Sequence, residues 1–154
     1  MIILGVDPSL TSSGYGLLTK EIDGKLKYIL SGNITTHASD SLPIRLSYIS
    51  TKFTEIIQNN KPNVIAMEET FVNMNPVSSL KLAYVRGIII ALAGIHCIDF
   101  KEFKPNFIKK ATVGVGRADK TQVQKMLSFL IHNLPQIENL DQSDALAVAY
   151  VASL

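Results

Sequence analysis

The sequence predicts an α/β domain built on a five-stranded mixed sheet, the first three strands antiparallel and the later ones parallel, with flanking helices. Three observations carry this. A length of 154 residues suits one domain, spanning 1–154 and large enough to cover both faces of a sheet. Continuous apolar runs at residues 2–6 and 64–67 have the form of strands buried on both sides. Around them, apolar residues recur at helical spacing, giving the element order βββαβαβ and then helices.

In order along the chain, the first strand leads to Asp7, and residues 14–18 and 25–30 read as two more strands joined by a turn at Asp23-Gly24. Ile44, Leu46, Ile49, Phe53, Ile56 and Ile57 repeat with a helical period, and Lys61-Pro62-Asn63 separates that helix from the strand ending at Glu68. Pro76 opens a helix that runs through Leu80, Leu82, Ala83, Val85 and Ile88 to Ala93, with Gly94 as its stop. Residues 87–93 are apolar on every side, so this helix calls for cover on more than one face, the second cover coming from a partner subunit. Ile98-Asp99-Phe100 reads as a short fifth strand. A helix over 105–110, a loop at Gly114-Val115-Gly116, a helix over 119–131 and a last helix from about Asp141 complete the chain.

Composition narrows the function classes. The net charge is +2, yet residues 101–125 hold seven basic side chains against Glu102 and Asp119, a net +5, which leaves −3 for the rest. That split suits a basic surface for a polyanion beside an acidic pocket for metal, or else a solvated lysine-rich helix face. Cys97, the single cysteine, lies among apolar neighbours and reads as a buried small hydrophobe, without a disulfide framework and consistent with an intracellular chain. The N-terminal apolar run is too short for a signal peptide and is interrupted by Asp7, and residues 87–95 are too few to span a membrane, so the chain reads as soluble. His37, His96 and His132 lack paired ligand spacing, which argues against a zinc site or a hydrolase triad. Gly114-x-Gly116 lacks the Gly-Lys-Ser/Thr of a Walker loop and is either a turn or an amide cradle for phosphate.

Four acids stand at the edges of apolar runs: Asp7, Glu68, Asp141 and Asp144. The first residue after a buried strand emerges at the sheet's end, where open α/β folds place their sites. Strands carrying Asp7 and Glu68 side by side, with the last helix across them, bring these carboxylates together. Crowded carboxylates in a half-buried cleft are tolerated chiefly around a hard cation such as Mg²⁺, which points to metal-assisted phosphodiester chemistry. Asp141 and Asp144 share one helical face, as two ligands of one site would, but the pair also reads as an acidic N-cap of the last helix. Glu68 and Glu69 point to opposite faces of their strand, and spacing alone does not choose between them.

Gly5-Val6-Asp7-Pro8-Ser9 with Gly14-Tyr15-Gly16, Met67-Glu68-Glu69-Thr70-Phe71, Ser79-Leu80-Lys81-Leu82-Ala83 with Arg86-Gly87, Val113-Gly114-Val115-Gly116-Arg117-Ala118-Asp119-Lys120, and Asp141-Gln142-Ser143-Asp144-Ala145-Leu146-Ala147 follow one another in the order found in the RuvC family of Holliday-junction resolvases, which the chain resembles over essentially its whole length. The resemblance implies a ribonuclease H-like fold and a homodimer. It implies a Mg²⁺-dependent endodeoxyribonuclease that resolves four-way DNA junctions in recombination and repair by paired nicks, leaving 5′-phosphate and 3′-hydroxyl ends. Catalysis and metal binding then fall on Asp7, Glu68, Asp141 and Asp144, with two Mg²⁺ ions per site and Mn²⁺ as an alternative ion. DNA contacts fall on Phe71, Lys109 and Lys120, joined by Arg117 of the basic stretch; from its position alone, Phe71 reads equally as a core residue. A branch-migration helicase complex and the bacterial cytoplasm are further implications. Ser9, where the family often has glycine, and Glu69, where it often has glutamine, depart from the pattern, and the chain stops soon after its final helix, so no basic tail is expected. Competing readings are a nuclease of RNA–DNA hybrids, an actin-like phosphotransferase, and a junction-binding module without catalysis.

Overall fold

The computed structural model describes residues 1–69 and 76–154. Strands β1 (Ile2–Asp7), β2 (Ser12–Lys20), β3 (Leu26–Thr35), β4 (Val64–Glu68) and β5 (Asp99–Phe103) form one sheet in the order β3-β2-β1-β4-β5. β2 pairs antiparallel with β1 and β3, while β4 pairs parallel with β1 and β5, which is the mixed sheet expected. Gly24, at φ 85°, turns the β2–β3 hairpin at Asp23-Gly24, where the Asp23 carboxylate accepts from the Lys25 N–H.

Helices cover both faces. α1 (Leu42–Asn60) and α2 (Pro76–Ile95) enclose a core of Leu4, Val6, Leu17, Ile65 and Met67 with Ile49, Phe53, Val85 and Ile89. α3 (Pro105–Val113), α4 (Lys120–Leu130) and α5 (Leu140–Ala152) enclose the opposite core of Ile3, Leu18, Val64 and Ala66 with Ile108, Val123, Leu127 and Leu146. Successive residues of β1 and β4 fall in alternate cores, so both strands are apolar up to their final carboxylates, Asp7 and Glu68.

α5 lies unusually close to the sheet because its contact residues there are glycines. A Cβ on Gly5 would stand 2.0 Å from the Ala145 carbonyl oxygen and 2.7 Å from the Ala149 nitrogen. On Gly14 it would stand 2.2 Å from the Asp141 carbonyl oxygen, and on Gly16 2.6 Å from Leu146 Cδ2. Small residues on the helix, Ala145 and Ala149, complete the fit, and both are fully buried.

Several local expectations are corrected. α2 does not stop at Gly94. It continues to Ile95, and Cys97 takes the left-handed position (φ 53°), with the Ile98 N–H donating to the Ala93 carbonyl and the Cys97 N–H to that of Gly94. Cys97 is therefore exposed at a helix terminus rather than buried. β5 is longer than expected, running on to Phe103, and Gly114 (φ 89°) is the left-handed cap of α3. By length and composition the Val77–Ile95 helix is apolar enough to cross a membrane, which the residue 87–95 run alone is not. In this fold Val85, Ile89, Leu92 and Ala93 pack on the sheet, whereas Leu80, Tyr84 and Ile90 are exposed.

Ile90 and Leu92 therefore differ sharply as sites for a charge. Leu92→Lys places an ammonium in the core and should lower stability by more than about 3 kcal/mol. Ile90→Lys, on the exposed side, should leave the fold intact and lower the thermal midpoint far less than Leu92→Lys does. Equal melting losses in the two variants would contradict this placement of the helix.

Candidate active site

One row of residues crosses the whole sheet at its carboxyl-terminal edge. Asn33 of β3 pairs with Gly14 of β2, and Gly14 pairs with Asp7 of β1. The parallel register Val6↔Met67, carried one residue further, sets Asp7 beside Glu68, and Glu68 pairs with Phe103 of β5. Glu68 shares the α5 side of the sheet with Asp7, whereas Glu69 follows on the opposite parity. α5 begins directly over Gly14, so its first turn brings Asp141 and Asp144 to the same row.

The helix is free to spend those carboxylates elsewhere because neither caps it. Asn139 is the N-cap, accepting from the N–H groups of Asp141 and Gln142 at 2.8 and 3.3 Å, which corrects the acidic-cap alternative for Asp141. Asp141 Oδ2 instead accepts from Ser12 Oγ at 2.8 Å and Asn33 Nδ2 at 3.1 Å. Asn33 Oδ1 in turn accepts from Gln142 Nε2 at 2.7 Å, and Gln142 Oε1 accepts from Ser31 Oγ at 3.0 Å. This network from β2 and β3 fixes one oxygen of Asp141 and leaves the other open. Nothing in the spacing singled out Ser12, Asn33 or Gln142. For Asn33 the detectable signal was its alternation with Ser31 along β3; Ser12 and Gln142 carried none.

The carboxylates act on one another electrostatically. Burial, then Asp144 and Asp141, push the Asp7 carboxyl up to about 7; Lys120 opposes this and Glu68 adds to it. Burial and Asp144 also raise Glu68, against Lys109, Lys120 and Arg86. Lys120 donates to Asp144 Oδ2, and that hydrogen bond together with the charges of Asp144, Asp7 and Asp141 raises the lysine. Arg86 of α2 donates to the Glu68 carbonyl at 2.7 Å and pairs with Glu102, anchoring the end of β4. Lys109 and Lys120 thus reach the acidic site, Arg117 is exposed on the α3–α4 connection, and Phe71 lies outside the described residues.

The donor set is oxygen-only and anionic, and burial already raises the carboxyls of Asp7 and Glu68, which fits a hard divalent cation. Among the described residues no three of these side chains close on a single point. Lys120 supplies the positive charge at Asp144 in this arrangement.

A ribonuclease H-like sheet with clustered carboxylates at its edge and lysines beside them defines a metal-dependent nuclease class. Residues 3–152 match the family described as crossover junction endodeoxyribonuclease RuvC. The chain belongs to that family. It is 48% identical to the RuvC of Rickettsia bellii over 150 residues, covering 97% of this chain and 95% of the relative, and 45% identical to that of Rickettsia conorii over the same shares. A solved structure of Thermus thermophilus RuvC with a Holliday junction substrate has the same fold at a TM-score of 0.87, with 21% identity, covering 97% of this chain and 91% of that one.

Asp7 links this site to stability. Its folded-state pKa exceeds the ordinary 3.8, so protonation favours the fold; the contribution is full below about 3.8 and is lost as pH rises through about 7. In metal-free buffer, Asp7→Asn should raise the thermal midpoint by about 4 °C or more at pH 8, an effect that shrinks towards zero near pH 4. A pH-independent difference between the two proteins would show that Asp7 is not held in a desolvated acidic cluster.

Proposed function

We propose that this chain resolves four-way DNA junctions by paired Mg²⁺-dependent nicks in recombination and repair. The observation that carries the reading is the convergence of carboxylates from β1, β4 and α5, on a member of a crossover junction endodeoxyribonuclease family, with Asp7 pushed up to about 7 by burial and by the charges of Asp144 and Asp141. Asp7, Glu68, Asp141 and Asp144 are the metal-holding residues. When bound, two Mg²⁺ ions supply an activated water and stabilise the leaving 3′ oxygen, which yields 5′-phosphate and 3′-hydroxyl ends; Mn²⁺ is the expected substitute.

The protein's own part is orientation and charge. Ser12 and Asn33 hold Asp141 Oδ2, so its remaining oxygen faces the site in one orientation. Arg86 holds the Glu68 backbone where β4 ends. Lys120 pairs with Asp144, and with Lys109 it offers positive charge to the phosphate as negative charge develops on its oxygens. Arg117, and the basic stretch from Lys101 to Lys125, extend that field along the DNA. Phe71 is proposed to stack on an unpaired base near the crossover.

A junction has two strands to cut, and a two-fold dimer brings a site to each. The exposed apolar side of α2, with Leu80, Tyr84 and Ile90, is the proposed contact between copies. Ile90→Lys then yields a folded monomer. A branch-migration helicase is the expected partner, and the bacterial cytoplasm the expected location.

The deciding assay incubates the purified protein with a four-way junction, a linear duplex and an RNA–DNA hybrid, each with Mg²⁺ or EDTA. Symmetric nicks in the junction alone, sealed by ligase and reduced at least about 1,000-fold by Asp7→Asn with junction affinity retained, are the expected result. Preferential cutting of the hybrid assigns a different nuclease, and junction binding without nicks assigns a binding module.

A further inference from the structure

We propose that Phe103 and Phe107 form a stacking platform for an unpaired nucleobase of branched DNA, with Phe107 as the contact residue. The inference rests on the junction-nuclease reading above and adds a second aromatic contact to it. Phe103 ends β5 directly beside Glu68, and the Glu69 N–H donates to its carbonyl at 2.8 Å. Phe107, on the first turn of α3, stacks on Phe103 with ring centroids 6.0 Å apart and planes inclined by 16°. One face of the outer ring is thus occupied, yet Phe107 remains 52% exposed. The two rings make a short column that starts at the carboxylate row and ends in solvent.

Local packing alone explains the inner ring but not the outer one. A turn held by a Phe103 contact needs a side chain of Phe107's size only on its inward side, and a leucine would serve. A flat, solvent-facing aromatic costs hydration, and in a basic setting it matches the chemistry of single-stranded nucleic acid sites, which combine cationic tracks with π-faces on which bases stack. Lys104 and Lys110 stand three residues before and after Phe107, both exposed, and no acidic residue occurs between Glu102 and Asp119. Glu102 is itself paired with Arg86, so it does not offset that charge. An unstacked base with its flanking phosphates suits this surface. A paired duplex keeps its bases stacked on one another, and offers only the backbone to the lysines.

The test exploits the absence of tryptophan from the chain. In Phe107→Trp the new indole is the only one, and its fluorescence in EDTA should be quenched on titration with a four-way junction but not with a linear duplex of equal length. Phe107→Ala should weaken junction binding roughly 5- to 100-fold while duplex binding stays unchanged, with Phe107→Trp restoring it and Phe107→Leu failing to do so. Silent or duplex-equal quenching overturns the proposal. So does restoration by leucine, including the case in which Phe107→Ala lowers the melting point, because that outcome assigns the ring to packing. Wild-type nicking is scored in parallel: its loss removes the junction-nuclease reading, whereas intact nicking with a silent indole removes the platform alone.

Discussion

The close seating of α5 on β1 and β2 is the constraint on which the site depends. Helices normally stand about 10 Å from a sheet because side chains fill the gap. Here Gly5, Gly14 and Gly16 remove those side chains, and Ala145 and Ala149 meet the bared backbone. The helix start is thereby pinned over the Asn33–Gly14–Asp7 row, and two carboxylates on its first turns are set against those at the ends of β1 and β4. A methyl group at Gly14 would displace the Asp141 backbone itself, so the packing and the chemistry are the same contact seen from two sides.

The arrangement carries an electrostatic cost that has a functional use. Burial and the facing carboxylates raise both Asp7, to about 7, and Glu68. The fold offsets the repulsion with hydrogen bonds to Asp141 and with Lys120 on Asp144, but among the described residues Asp7 has no ion-pair partner of its own, and its relief comes from the more distant charge of Lys120. A divalent cation held there would relieve this repulsion far better than protons do near neutral pH, coupling its affinity to the fold's own stability.

Much of this was legible in the sequence. Strand runs ending in Asp7 and Glu68 located the sheet edge, and the mixed order of strands followed from a hairpin followed by crossovers. Spacing left the Glu68/Glu69 choice open, and parity in the parallel register now sets Glu68 beside Asp7. What could not be read was long-range. Asn33 meets Asp141 across 108 positions of sequence, and the helix starts at Leu140, so Asn139 rather than Asp141 stands at the cap and accepts from the N–H groups of Asp141 and Gln142. Cys97 was misplaced for a local reason: a left-handed helix terminus overrode the apolar character of its neighbours. The glycines at 5, 14 and 16 looked like family motif residues, and only packing reveals why they lack a side chain.

The most direct test is anomalous scattering from crystals of the wild-type protein soaked in Mn²⁺. The account predicts ion density bounded by the Asp7, Glu68, Asp141 and Asp144 carboxylates, with Asp144 released from Lys120 and Asp141 still held by Ser12 and Asn33. An ion bound elsewhere, or contacts to only one of the three elements, would contradict it.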